Sequence, residues 1–186
     1  GLDYELVKET FKKYKPKYLQ LVHVYGFPAK DTHKIINFCK KNKIKIIEDT
    51  SEALGSTING KVVGSFGDIN VTSIRSEKMI GVGEGAIIST NIKKIFERFT
   101  LLASRSAPFR TSKDPYWKKY YVSGEGYNYL MPHLLGSVAR GQIERFEKEL
   151  IKKKIKVGKI YIKELKKNNL NQGQQISNKS KPVYWL

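Results

Sequence analysis

Residues 18–49 read YLQLVHVYGFPAKDTHKIINFCKKNKIKIIED, and this stretch decides the fold. Residues 18–24 form an apolar, β-branched run of strand length. Tyr25-Gly26-Phe27-Pro28 is a turn. Asp31 or Thr32 stands where a helix cap is needed, ahead of apolar positions Ile35, Ile36, Phe38 and Cys39 that fall on one helical side. Lys40, Lys41 and Lys43 crowd the last turn of that helix and complement its dipole. Residues 44–47 make a second buried strand. A strand, a helix and a strand within roughly thirty residues are a βαβ unit, and strands so connected lie parallel. The expected class is α/β.

Working outward, residues 5–15 read as a short polar helix closed by Pro16. Asn59-Gly60 is a hairpin turn signal joining 56–58 to 61–63. Two further strands are expected at 69–74 and 86–89. Between them Gly81-Val82-Gly83-Glu84-Gly85 is too glycine-rich for a helix or regular strand. Residues 92–104 read as a helix and 105–126 as irregular. A long helical pattern runs from Pro132 to about residue 165, with a break expected near Lys152. The polar, Asn/Gln-rich stretch 168–182 reads as a loop.

At 186 residues, 40% of them hydrophobic, the chain suits one domain or a large part of one and carries enough apolar side chains for a core. It shows no basic-then-apolar leader and no long uncharged apolar run, so neither a signal peptide nor a membrane span is expected. Cys39 is the only cysteine, which excludes a disulfide framework and fits a reducing cytoplasm. Within a helical pattern beside Phe38 it reads as a buried structural thiol. The 35 basic against 17 acidic residues give a net charge of +18, the footprint of an anion-binding surface. The lysines are dispersed, however, and the run 152–156 reads as solvated helix surface. A basic nucleic-acid-binding module stands only as an alternative. His23, His33 and His133 lack metal-ligand spacing, so no metal is expected. The aromatics Tyr116, Trp117, Tyr120 and Tyr121 read as a loop packed on a partner subunit rather than as a base-stacking surface.

The chemistry concentrates after residue 47. Glu48-Asp49 lies at the carboxyl end of a strand, the edge where open α/β sheets bind ligands. Pyridoxal-phosphate (PLP) chemistry needs a carboxylate facing the pyridine nitrogen, a lysine that joins the cofactor and shuttles protons, and donors for the phosphate. Asp49, Lys78 and Ser73 suit those roles in that order, and the glycines at 81–85 let backbone pass close to the lysine.

The ordered motifs resemble the DegT/DnrJ/EryC1/StrS family of PLP-dependent sugar aminotransferases over most of the chain. They are His23-Val24-Tyr25-Gly26, Asp49-Thr50-Ser51-Glu52-Ala53-Leu54-Gly55, Gly64-Ser65-Phe66-Gly67-Asp68, Ser73 with Lys78, Gly83-Glu84-Gly85, Gly126-Tyr127-Asn128-Tyr129-Leu130-Met131 and Gln142-Ile143-Glu144-Arg145.

The resemblance implies an aspartate-aminotransferase-like fold (PLP transferase fold type I) with a mixed, mostly parallel sheet flanked by helices. Residues 1–150 would be the central part of the PLP-binding large domain, and 151–186 a helix and the start of a C-terminal small domain. It implies that Lys78 carries the cofactor and acts as acid and base. Asp49 pairs with the pyridine nitrogen, Glu52 reaches the ring hydroxyl, and Ser73 binds the phosphate. Asn128 reaches the phosphate of a neighbouring subunit's cofactor, which makes the unit a homodimer; the expected location is the cytoplasm. Glu52 in place of Gln resembles the perosamine-synthase branch, which acts on a nucleotide-linked 4-keto-6-deoxy sugar; L-glutamate is the expected donor, and polysaccharide synthesis the expected destination. Leu130, Ala86, Ile74 and Thr72 depart from the family pattern. Family members continue beyond both ends of this chain, so a fragment is expected. A catalytically incomplete homologue that binds PLP or a partner is the other alternative.

Overall fold

The computed structural model describes residues 1–107, 113–170 and 179–185. Helix α1 (Tyr4–Tyr14) starts one residue earlier than expected, because the Asp3 carboxylate accepts the N–H groups of Glu5 at 2.9 Å and Leu6 at 3.1 Å. Lys15 ends it in the left-handed region, φ 45°. Strand β1 (Tyr18–Val22), helix α2 (Thr32–Lys41) and strand β2 (Lys45–Asp49) form the expected βαβ unit, with β1 parallel to β2 from Tyr18 opposite Lys45 to Val22 opposite Asp49. Neither expected cap of α2 acts as one: Asp31 makes no side-chain capping bond, and the Thr32 hydroxyl donates instead to the Ala29 carbonyl at 2.6 Å.

The hairpin of β3 (Thr57–Ile58) and β4 (Lys61–Val62) turns at Asn59-Gly60, both with positive φ. Strand β5 (Ile69–Ser73) adds parallel to β2, and β6 (Ala86–Ser89) adds antiparallel to β5. The sheet order is β1-β2-β5-β6, mixed and mostly parallel as expected. Helices α1 and α2 cover one face. There Leu21, Ile35, Ile36, Cys39, Ile44 and Ile46 form the main core, each large side chain contributing about 1.5–3 kcal/mol by leaving water. Burial, with the Asp68 charge adding to it, pushes the Cys39 thiol up to about 11. It stays protonated at neutral pH and serves packing, as its place in the helix suggested.

The second half departs more from its expected form. Helix α3 (Lys93–Ala103) matches its pattern, and a 3-10 turn at Tyr116–Lys119 interrupts the irregular stretch; residues 108–112 of that stretch lie outside the described residues. The long helix is three pieces: α4 (His133–Ile143), a π-helical turn (Phe146–Leu150) and α5 (Ile151–Lys167). The break lies just before Lys152, near where it was expected. The wider turn starts at Phe146, whose ring packs against both the cluster of Ile74, Ile80 and Val82 and that of Met79, Val183 and Trp185.

Part of the expected loop 168–182 is strand: β7 (Ser180–Lys181) pairs antiparallel with β3, Thr57 opposite Lys181. Residues 171–178 lie outside the described residues. Beyond β7 the chain runs on against the turn after β1. The Val183 N–H donates to the Gly26 carbonyl at 3.1 Å, and the Trp185 N–H to that of Tyr25 at 3.3 Å. Gly26 sits at φ 85°, and a Cβ there would lie 2.5 Å from the Trp185 nitrogen, so only glycine admits this close approach.

Beneath the site lies a buried hydrogen-bonded hub. His23 and Glu48 are both fully buried, and the ring Nε2 is 3.0 Å from Glu48 Oε1. His23 Nδ1 accepts the Ala29 N–H at 3.0 Å, which leaves the ring proton on Nε2, donated to Glu48. The carboxylate also accepts the N–H groups of Gly64 (2.6 Å), Phe66 (2.9 Å) and Gly67 (2.9 Å). Burial pushes the Glu48 carboxyl upward, but the bonds from His23 and from Gly64, Gly67 and Phe66 outweigh it and hold the group below its ordinary value.

A group so depressed stabilises the fold above its unfolded pKa of about 4.3, and that contribution is lost as pH falls through the lower folded value. Glu48→Ala strips a buried partner from His23 and three backbone donors, and is expected to cost about 3–5 kcal/mol. Urea unfolding at neutral pH measures the loss. Repeated across the acid range, it should show the variant losing less stability with falling pH than the parent.

Candidate active site

The carboxyl ends of β2 and β5 converge on one edge of the sheet. Asp49, the last residue of β2, is half-buried there. Its Oδ1 accepts the Ser51 N–H at 2.9 Å, while Oδ2 has a long 3.4 Å contact from the Gln20 amide. The Ser51 hydroxyl in turn accepts the Ser73 N–H at 3.0 Å at the end of β5, and the Ser73 hydroxyl lies 3.4 Å from the Arg75 N–H. A single hydrogen-bonded chain, Asp49 to Ser51 to Ser73, therefore joins two of the expected site residues.

Lys78 is on the loop that leaves β5. Its backbone N–H returns to the Arg75 carbonyl at 3.0 Å, the Ser76 N–H bonds the Gly83 carbonyl at 3.1 Å, and the Val82 N–H bonds that of Ile74 at 3.0 Å. Gly81 is needed because a Cβ there would collide with the Ser76 carbonyl. The loop is also clamped from α4: the Gln142 amide accepts the Gly81 N–H at 3.0 Å and donates to the Gly81 carbonyl at 2.6 Å. The side chain thus substitutes for a neighbouring strand's backbone.

The Lys78 side chain is 12% exposed, and its ammonium pairs with Glu52 Oε1 at 3.6 Å. Glu52 Oε2 accepts the Tyr25 N–H at 3.0 Å, which ties the turn after β1 to the lysine. Over the ammonium lies the Trp185 ring, its centroid 4.1 Å from Nζ. Trp185 stacks on Tyr25 with centroids 6.0 Å apart and planes at 18°. The structure therefore assembles Lys78 with Glu52, and Asp49 with Ser73.

Asn128 stands apart from both groups. It is exposed and bridges Ser104 after α3. Leu130 is 63% exposed, whereas Ile74 is fully buried and Thr72 bonds Thr50 inside the sheet at 2.6 Å, so those two departures serve packing. The aromatics Tyr116, Trp117, Tyr120 and Tyr121 are all exposed. Sequence reasoning missed Trp185, Gln142 and Ser51 as site builders. Gln142 and Ser51 lie inside quoted motifs, but only the fold brings Trp185 to Lys78.

Residues 2–186 match the model of the DegT/DnrJ/EryC1/StrS aminotransferase family. The chain is 33% identical over 175 residues to GDP-perosamine synthase of Escherichia coli O157:H7, covering 92% of this chain and 44% of that protein. It is 33% identical over 182 residues to GDP-perosamine synthase of Vibrio cholerae, covering 98% and 47%. It thus spans just under half the length of these curated relatives. Its fold superposes with a TM-score of 0.84, at 19% identity, on Escherichia coli GDP-4-keto-6-deoxy-D-mannose-3-dehydratase with bound hydrated PLP, covering 99% of this chain and 49% of that one. The architecture is the α/β fold of these transferases, as the motifs implied.

Gln142→Leu keeps the bulk but leaves the Gly81 peptide without its clamp. We expect a stability loss of about 1–3 kcal/mol and faster amide hydrogen exchange across residues 76–85, read by mass spectrometry. Exchange unchanged there would mean the clamp does not hold the loop.

Proposed function

The chain belongs to the DegT/DnrJ/EryC1/StrS aminotransferase family, and we propose that its protein uses PLP to move an amino group from L-glutamate to the keto carbon of a nucleotide-linked 4-keto-6-deoxy sugar. The observation that carries this reading is Lys78, a nearly buried lysine paired with Glu52 at the same sheet edge as the Asp49–Ser51–Ser73 chain. The relatives named GDP-perosamine synthase favour that substrate class.

The residues present fit the cofactor. Asp49 Oδ2 has only a long amide contact among the described residues, which leaves a carboxylate oxygen for a protonated pyridine nitrogen. The Ser73 hydroxyl is a donor for the phosphate. Glu52 lies beside Lys78 and is assigned to the ring hydroxyl. When bound, PLP supplies the electron sink that lets a proton leave the carbon bearing the amino group. Lys78 gives up its own proton to react as a free amine, and its Nζ then takes and returns protons during transfer. Glu52, beside it, would hold the ammonium whenever Lys78 is free of the cofactor.

We assign Asn128, exposed on its extended segment, to the cofactor phosphate of a second subunit in a homodimer, with the exposed aromatics at 116–121 packed on that partner. Residues 1–150 belong to the cofactor-binding domain and 151–186 to the beginning of the next. The protein works in the cytoplasm. No helix among the described residues is long and apolar enough to cross a membrane.

Adding PLP to the full natural polypeptide is expected to give a visible band, and borohydride reduction should fix the pyridoxyl group on the Lys78 peptide. Lys78→Ala should abolish both. Asp49→Asn should slow turnover of a nucleotide 4-keto sugar with L-glutamate by about 10²-fold or more. Label scattered over surface lysines would sink the cofactor reading; labelling of Lys78 without turnover would favour a binding homologue that has lost catalysis.

A further inference from the structure

We propose that Trp185 is a positioning residue for Lys78, fixing the direction in which the amine points; this rests on the reading of Lys78 as the cofactor lysine. Trp185 touches three consecutive residues of the lysine loop. Its indole N–H donates to the Glu77 carbonyl at 3.2 Å. Its ring face covers the Lys78 ammonium at 4.1 Å. It shares a buried cluster with Met79 and Val183.

The ring is itself held. It is 6% exposed, it stacks on Tyr25, and its carbonyl accepts from Lys154 on α5 at 3.0 Å. A flexible four-carbon lysine stem sweeps many rotamers unless walls restrict it. Here the walls are the Glu52 carboxylate and a desolvated aromatic face, where a cation–π contact is at its strongest. The rest of the surface offers many lysines to a reactive aldehyde, and among them Lys78 is set apart by this enclosure. The segment that supplies the ring is brought in by β7 and by the contacts of Val183 and Trp185 with the Tyr25-Gly26 turn.

The test compares Trp185→Phe with Trp185→Leu in the full natural polypeptide. Both lose the N–H bond to Glu77, so any difference between them isolates the ring face. With limiting PLP, borohydride and peptide mapping, the readout is the ratio of label on Lys78 to label on the other lysines within one sample. We expect Leu to lower that ratio about tenfold and Phe to keep most of it, while their melting temperatures fall together. Equal ratios for the two variants, or a Leu variant as selective as the parent, overturn the proposal.

A second readout needs no cofactor. The indole emission of the protein minus that of its Trp185→Phe variant isolates Trp185, and Lys78→Met is expected to change the intensity of that difference. An unchanged spectrum overturns the contact whatever PLP does. A parent protein that spreads label over its surface lysines sinks the cofactor reading and the role given to Trp185 with it, even if the emission changes.

Discussion

The Glu48 carboxylate is the constraint on which the site depends. It closes a buried polar center that joins the end of β2, the end of β1 through His23, and the segment after the hairpin through Gly64, Phe66 and Gly67. Taking a carboxylate out of water is costly unless its lone pairs are met. Four donors meet them here, and the geometry of those donors fixes three pieces of chain at once. Asp49, the next residue, points by strand alternation to the opposite side, where its carboxylate is left half-open to a ligand. Adjacent acids thus divide the work, one holding the scaffold and the other facing the candidate site.

The first half of the fold was legible because its signals are local. Alternating apolar runs, a one-sided helix and Asn59-Gly60 each state a structure within a few residues, and the βαβ handedness then leaves little freedom. What was not legible depends on contacts between distant segments. The break at 144–150 follows from where the Phe146 ring must go, which helical periodicity does not record. The strand at Ser180–Lys181 exists because β3 offers an edge to pair with. Asp31 and Thr32 have cap chemistry, yet the turn before them gave the Thr32 hydroxyl a nearer acceptor.

The same division runs through the candidate site. Asp49, Ser73 and Lys78 stood out as residue types in an order, and the structure links them to neighbours by hydrogen bonds and an ion pair. Gln142 and Trp185 reach their targets from distant parts of the chain. Gln142 acts only through backbone atoms of Gly81, so no partner side chain marks it in the sequence. Glu48 and Asp49 read alike as strand-end acids; burial separates them.

The pairing of Thr57 with Lys181 has a kinetic consequence. It closes a loop that takes in most of the chain, and such closure spends chain entropy before any contact returns energy. The βαβ unit and the hairpin gain their contacts over short separations, so they are placed to form first. The strap that carries Val183 and Trp185 joins afterwards, and with it comes the aromatic face over Lys78. Until that late step the lysine is one amine among many, open to water and free to turn. Its individuality is acquired when that strap docks, and anything that slows the docking prolongs the interval in which the chain has a sheet but no distinguished lysine.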